Sequence, residues 1–135
     1  MMQEPAKFRI QTLFYWCNDV APMRHFYTEL LGFEETYYKS DDEVGWLNYH
    51  IDGVDVVFMR GSEPLPIQSK WAKQPGYQGG QAEVSSWIIA VPPEQFDSVI
   101  ARLQDAGVPS YQVSPSNNQF FVQDPMGTTV EIYAA

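Results

Sequence analysis

The feature that most constrains this chain is an internal repetition. Two amphipathic helices each end at a glycine, Gly32 and Gly107, 75 residues apart. Two turn glycines, Gly53 and Gly127, are 74 apart. The first helix is read over Pro22 to Leu31. Met23, Phe26, Tyr27, Leu30 and Leu31 fall on one face, and Asn18 or Asp19 gives the start signal. The second follows "VPPEQ" and runs to Ala106, with Phe96, Val99, Ile100 and Leu103 on its apolar face. "IQTLFYWC" precedes the first helix, and "FEETYYK", "VGWLNYHI" and "VDVVFM" follow it. "VSSWIIAV" precedes the second, and "VPSYQV", "NQFFVQ" and "TTVEIY" follow. Each half therefore reads strand, helix, three strands, and a fixed offset between the halves argues for duplication. The expected fold class is α+β, with module one at about 8–60, a linker at 61–83 and module two at about 84–135.

Composition limits what such a chain does. With 135 residues it is long enough for one compact unit with a real core. Eight basic residues against seventeen acidic give a net charge of −9. That charge opposes nucleic acid and anionic membranes, and suits a cationic small molecule as well as plain solubility. The apolar runs are too short to span a bilayer, and "MMQEPAKFRI" lacks the apolar core of a secretion signal. The single cysteine, Cys17, allows no internal disulfide. A cytoplasmic location is expected.

Strand alternation divides the residues into two faces. Leu13, Tyr15, Val56, Phe58, Trp87, Ile89, Val91, Val130 and Ile132 form a large apolar face, the natural seat of the helices. The opposite face carries Thr12, Phe14, Trp16, Asp55, Val57, Met59, Ser86, Ile88, Thr129, Glu131 and Tyr133. Apolar walls with a few polar anchors suit a ligand cavity better than a solvated sheet surface. Between the halves lies Gly61 to Glu83, rich in Pro, Gly and Gln, with Trp71 inside it. Trp71 either pins this linker to the body or covers a ligand.

The stretches "HFYTELLGF" (His25 to Phe33) and "DPMGTTVEI" (Asp124 to Ile132) resemble the two signature stretches of the vicinal oxygen chelate superfamily. That group includes glyoxalase I, bleomycin-resistance proteins, fosfomycin-resistance enzymes and extradiol dioxygenases. The resemblance covers nearly the whole chain. It implies two βαβββ modules forming a curled, cupped mixed sheet with helices on the outer face, and a homodimer. In metal-dependent members the ligands come from the first and last strands of each module. Carried onto this sequence, those positions are Thr12, Val57, Ser86 and Glu131. Only Glu131 is a good ligand: Thr and Ser hydroxyls are poor primary donors, and Val has no donor atom.

The remaining candidates are few. His50 ends "VGWLNYHI" with Trp46 and Asn48 on its own face. It either bonds a ligand or carries a proton, or it is an exposed residue beside the Asp52-Gly53 turn. His25 is read as a boundary or surface residue and Cys17 as a buried structural thiol. No phosphate loop, CxxC, HExxH or GxSxG motif is present. The expected function is small-molecule binding of the bleomycin-resistance type, without a metal or other cofactor, holding an aromatic or cationic ligand in the cup. The ligand-binding set is Thr12, Phe14, Trp16, His50, Val57, Met59, Trp71, Ser86 and Glu131; no catalytic residue is assigned. The alternative is a metal-dependent glyoxalase-like lyase or isomerase, or a dioxygenase. Its divalent metal would be bound by Glu131 with Gln11, Glu83, His50 or a partner chain. A third reading keeps Glu131 as a relic of the fold, in a protein that acts through an interaction surface.

Overall fold

The computed structural model describes residues 6–72, 86–112 and 118–135. Its first half holds β1 (Thr12–Cys17), α1 (Val20–Arg24), a π-helical segment (His25–Leu30), β2 (Glu35–Ser40), β3 (Gly45–Ile51) and β4 (Val54–Arg60). Its second half holds β5 (Ser86–Val91), α2 (Pro93–Asp105), β6 (Ser110–Tyr111), β7 (Gln119–Gln123) and β8 (Thr129–Ala134). The strands form two four-stranded mixed sheets, ordered β1-β4-β3-β2 and β5-β8-β7-β6. We call them sheets A and B. In each, the first strand runs parallel to the last, because the helix supplies the crossover. The other pairs are antiparallel.

The first helix starts earlier than the apolar spacing suggests. Asp19 is its N-cap and its carboxylate accepts the Ala21 N–H at 3.2 Å. Asn18 is not used there. Its side chain instead makes two bonds to the Leu65 backbone, at 2.9 and 2.6 Å. From His25 the helix widens to π geometry, with Leu31 N–H donating to Phe26 O at 3.0 Å. Gly32 stops it at φ 86°, a conformation open to glycine, and Gly107 does the same for α2 at φ 72°.

The apolar faces of both sheets and both helices share one core. Tyr27, fully buried, lies against Phe58 of sheet A at 4.7 Å and Trp87 of sheet B at 5.7 Å between ring centroids. Tyr15 on β1 meets Trp87 on β5 at 5.5 Å. The Arg102 guanidinium of α2 donates to the Leu30 carbonyl at 2.8 Å, tying the second helix to the first. The sheets thus meet through their apolar faces, and their other faces are turned away from the shared core. Among the described residues, no helix is long and apolar enough to cross a membrane.

Candidate functional site

Strand register places the sequence candidates on two separate open faces. On sheet A, Thr12 stands beside Asp55, and Asp55 beside His50. The next row is Phe14, Val57 and Asn48; the third is Trp16, Met59 and Trp46. On sheet B the corresponding rows are Ser86, Thr129 and Gln123, then Ile88, Glu131 and Phe121. Thr12 therefore corresponds to Ser86, and Val57 to Glu131, as the offset of 74 implies. Six of the nine candidates, Thr12, Phe14, Trp16, His50, Val57 and Met59, share the face of sheet A. Ser86 and Glu131 share that of sheet B, and Trp71 packs against its Tyr111 at 4.7 Å. No bond or ring contact among the described residues joins the two open faces.

The face of sheet A mixes polar and aromatic side chains and is open along β1. Phe14 is 56% and Trp16 58% exposed. Trp16 also borders a cleft of about 680 Å³ whose walls include Asp42, Glu43 and Glu63, with Arg60. At the other end of the face, His50 Nδ1 and Asp55 Oδ1 are 2.7 Å apart. A carboxylate on one ring nitrogen fixes the imidazole and leaves Nε2 for a ligand.

The face of sheet B holds its carboxylate in shelter. Glu131 is 9% exposed and accepts a hydrogen bond from Gln119 Nε2 at 3.2 Å. No salt bridge of the described residues includes it. Tyr111 stacks flat on Phe121 with centroids 4.6 Å apart, beside the carboxylate. Burial, and then the Glu131 charge, push the Tyr111 hydroxyl above its ordinary pKa. Sequence reasoning passed over Gln119, Tyr111 and Asp55 as site residues; Gln119 and Phe121 flank the face by alternation alone, and Asp55 was already on it.

Sequence reasoning also missed Asp124. Buried and 2.7 Å from the Tyr27 hydroxyl, its carboxylate accepts the Met126 and Thr128 N–H groups and so shapes the turn into β8. An aspartate ahead of Pro-x-Gly is the available signal for such a turn. Asp124 lies at the joint of the two modules, not on an open face. The alternative donors fare as follows. Gln11 is exposed outside β1 and bonded to Arg9, and Glu83 lies outside the described residues. His25 is exposed and paired with Glu29, and Cys17 is fully buried. Burial first, then Asp19 and Asp124, push the Cys17 thiol up to about 11, so it is no thiolate near neutrality.

The fold family implies a divalent metal, and the donors among the described residues do not fit one. Among the described residues no three His, Cys, Asp or Glu side chains converge on a common point. Even if sheet A of a second copy supplied Thr12 and Val57 to Ser86 and Glu131, one strong donor would remain.

Comparison with known proteins places the chain. A glyoxalase/dioxygenase from Nostoc punctiforme superposes with a TM-score of 0.69 at 16% identity, over 99% of this chain and 98% of that one. A fosfomycin resistance protein, FosX, from Listeria monocytogenes, solved with Mn(II) and 1S,2S-dihydroxypropylphosphonic acid, gives 0.68 at 14%, over 96% and 94%. The oxidase ChaP-H2 gives 0.66 at 16%, over 96% and 95%. At such identities the likeness is one of fold. None of the curated proteins compared with it matches this chain. The family model described as Glyoxalase/Bleomycin resistance protein/Dioxygenase superfamily matches residues 9–132, and the chain belongs to that superfamily.

Proposed function

We propose that this protein binds a cationic or aromatic small molecule at the Glu131 face, without a metal ion, and that a second copy closes the site. The observation that carries the reading is Glu131 itself. It is a nearly buried carboxylate whose described partner is a neutral amide. A buried charge is costly unless paired, and a ligand cation would supply the missing partner. The acidic cleft at Trp16 and the net charge of −9 favour cationic ligands as well.

The sheet edges support the second copy. Among the described residues β1 and β5 each pair with one strand, and each carries exposed apolar side chains: Phe14 and Trp16 on β1, Ile88 (63% exposed) on β5. Laying β1 of one copy beside β5 of another covers them and brings a sheet A face next to Glu131. A protein that sediments as a monomer at all concentrations would remove this part of the reading.

The test is a titration of benzylamine and its neutral analogue benzyl alcohol against the wild-type protein and Glu131→Gln. Benzylamine should bind the wild type and lose at least about tenfold in affinity in the variant, while benzyl alcohol changes little. Equal losses for both compounds would sink the carboxylate's role. The His50–Asp55 pair favours a second reading, a lyase, isomerase or dioxygenase in which His50 moves a proton. Thermal unfolding with Mn²⁺ or Zn²⁺ separates the two. A metal bound by the native state adds about 2.7 kcal/mol at a hundredfold excess over its Kd, and a shift lost in Glu131→Ala would favour the enzyme.

A further inference from the structure

Residues on one open face of sheet B differ sharply in exposure. Ile88 is 63% exposed, whereas Thr129 is 1% and Glu131 9%. Part of the cover comes from outside the module. After Gly61 the chain crosses to sheet B as a strap, residues 65–72. Asn18 clamps its root at Leu65 with two hydrogen bonds. Gln68 N–H donates to the Met126 carbonyl at 3.0 Å. The Gln123 side chain donates to the Lys70 carbonyl at 3.2 Å, and Ala72 N–H donates to Thr129 Oγ1 at 2.9 Å. Trp71 ends the crossing against Tyr111, in the row that holds Phe121 and Glu131.

These ties differ in kind from those of the sheet below. The strap lends no side chain to the hydrophobic core. Leu65 and Ile67 are exposed. Beyond the clamp at Leu65 it is held by three hydrogen bonds and one ring contact among the described residues. A segment with few buried apolar contacts opens at a fraction of the cost of unfolding the sheet it lies on.

We propose that residues 67–72 form a hinged cover on the Glu131 face, swinging about the Asn18 clamp while both modules stay folded, so that a ligand reaches the carboxylate. This rests on the reading of that face as the ligand site. Closed, the strap lies over Thr129 and seats Trp71 on Tyr111, in the row that holds Glu131. Opened, it releases the Thr129 hydroxyl from Ala72 and parts Trp71 from Tyr111.

Amide hydrogen exchange on the full chain tests the cover without any ligand. Gln68 and Ala72 should exchange at least about 100-fold faster than Val130 and Ile132 in the central strand. Thr129→Val keeps the side-chain shape and removes the acceptor for Ala72. It should speed Ala72 several-fold further and leave Val130 and Ile132 unchanged. Gln123→Met, which releases Lys70, should do the same and serves if Thr129→Val loosens the sheet. Exchange at Gln68 and Ala72 as slow as at Val130 and Ile132, in all three proteins, would make the strap part of the fixed core and overturn the proposal. The ligand reading fails separately. Fast strap exchange with no benzylamine binding, even in Thr129→Val, removes the ligand and keeps the cover. Slow exchange with Glu131-dependent binding does the reverse.

Discussion

Val57 and Glu131 stand at the same place in two copies of one arrangement. Each lies on the last strand of its module, beside the third residue of the first strand, Phe14 or Ile88. Both are buried. One is a valine between Phe14 and Asn48; the other is a carboxylate bonded to Gln119. On the opposite faces the modules agree: Val56 and Phe58 match Val130 and Ile132, all in one core. The difference teaches where the duplicated fold is constrained. The apolar faces must fit each other and the helices, so they keep their character. The open faces carry no such packing requirement, and there the modules differ.

The agreement is broken most severely at Tyr27, which both modules share. It contacts Phe26, Phe33, Tyr49 and Phe58 in the first module and Trp87 in the second. Its hydroxyl donates to Asp124. Tyr27→Ala should cost about 3–5 kcal/mol, by loss of a buried ring and the cavity left behind. Tyr27→Phe removes only the hydroxyl and should cost about 1–3 kcal/mol. Urea unfolding measures both. A near-zero cost for Tyr27→Ala, or a transition split between the modules, would show that they do not share one core.

The two turn glycines give a sharper comparison because they correspond in sequence and conformation. Gly53 has φ 82° and Gly127 φ 80°. At Gly53 a methyl group meets open space; at Gly127 it collides with the Gln68 backbone of the strap. Gly53→Ala should therefore cost about 1 kcal/mol, the strain of a left-handed alanine. Gly127→Ala carries the same strain and must also displace the strap, adding at least about 1 kcal/mol. Equal costs in thermal unfolding would mean that the strap yields freely at that point.

Much of the common part was legible in the sequence. Period-two alternation sorted Val56, Phe58, Val130 and Ile132 from Val57 and Glu131, because burial on one face imposes it. Gly32, Gly53 and Gly107 were readable as stops and turns because their positive φ angles demand glycine. What the sequence did not give rests on long-range contacts. Asn18 and Asp19 were equal candidates for a helix cap until Leu65, far along the chain, claimed Asn18. The strap read as a linker that Trp71 either pins or turns into a cover, and Trp71 does pack on Tyr111; the hydrogen bonds use the strap's backbone groups, which leave no trace in side-chain pattern. The placing of Thr12 and Glu131 on separate faces was hidden too. Alternation reports which face a residue occupies and not which sheet that face will meet.

The smallest expected effect is one of sign. Asp124 in the second module and Glu35 in the first are carboxyls with opposite environments. Burial outweighs the Tyr27 and backbone donors and holds the Asp124 carboxyl above its ordinary pKa. Arg24 foremost, with Thr28, holds Glu35 below its own. A raised folded-state value means that the native state keeps the Asp124 proton after the unfolded chain has lost it. Its contribution is then complete below the ordinary carboxyl pKa and is lost as pH rises through the folded value. Glu35 works the other way: its contribution is present above the ordinary value and is lost as pH falls through the folded one. Asp124→Asn keeps an acceptor for the Met126 and Thr128 N–H groups and cannot ionise. Its stability relative to the wild type should rise between the ordinary carboxyl range and neutrality. Glu35→Gln should fall relative to the wild type as pH rises through the acid interval below the ordinary carboxyl range, since it cannot gain the ionised pair with Arg24, and should stay level from there to neutrality. Urea unfolding at a series of pH values reads both slopes. Slopes of the same sign would mean that the donors around Asp124 outweigh its burial, so that the joint between the modules welcomes a charge.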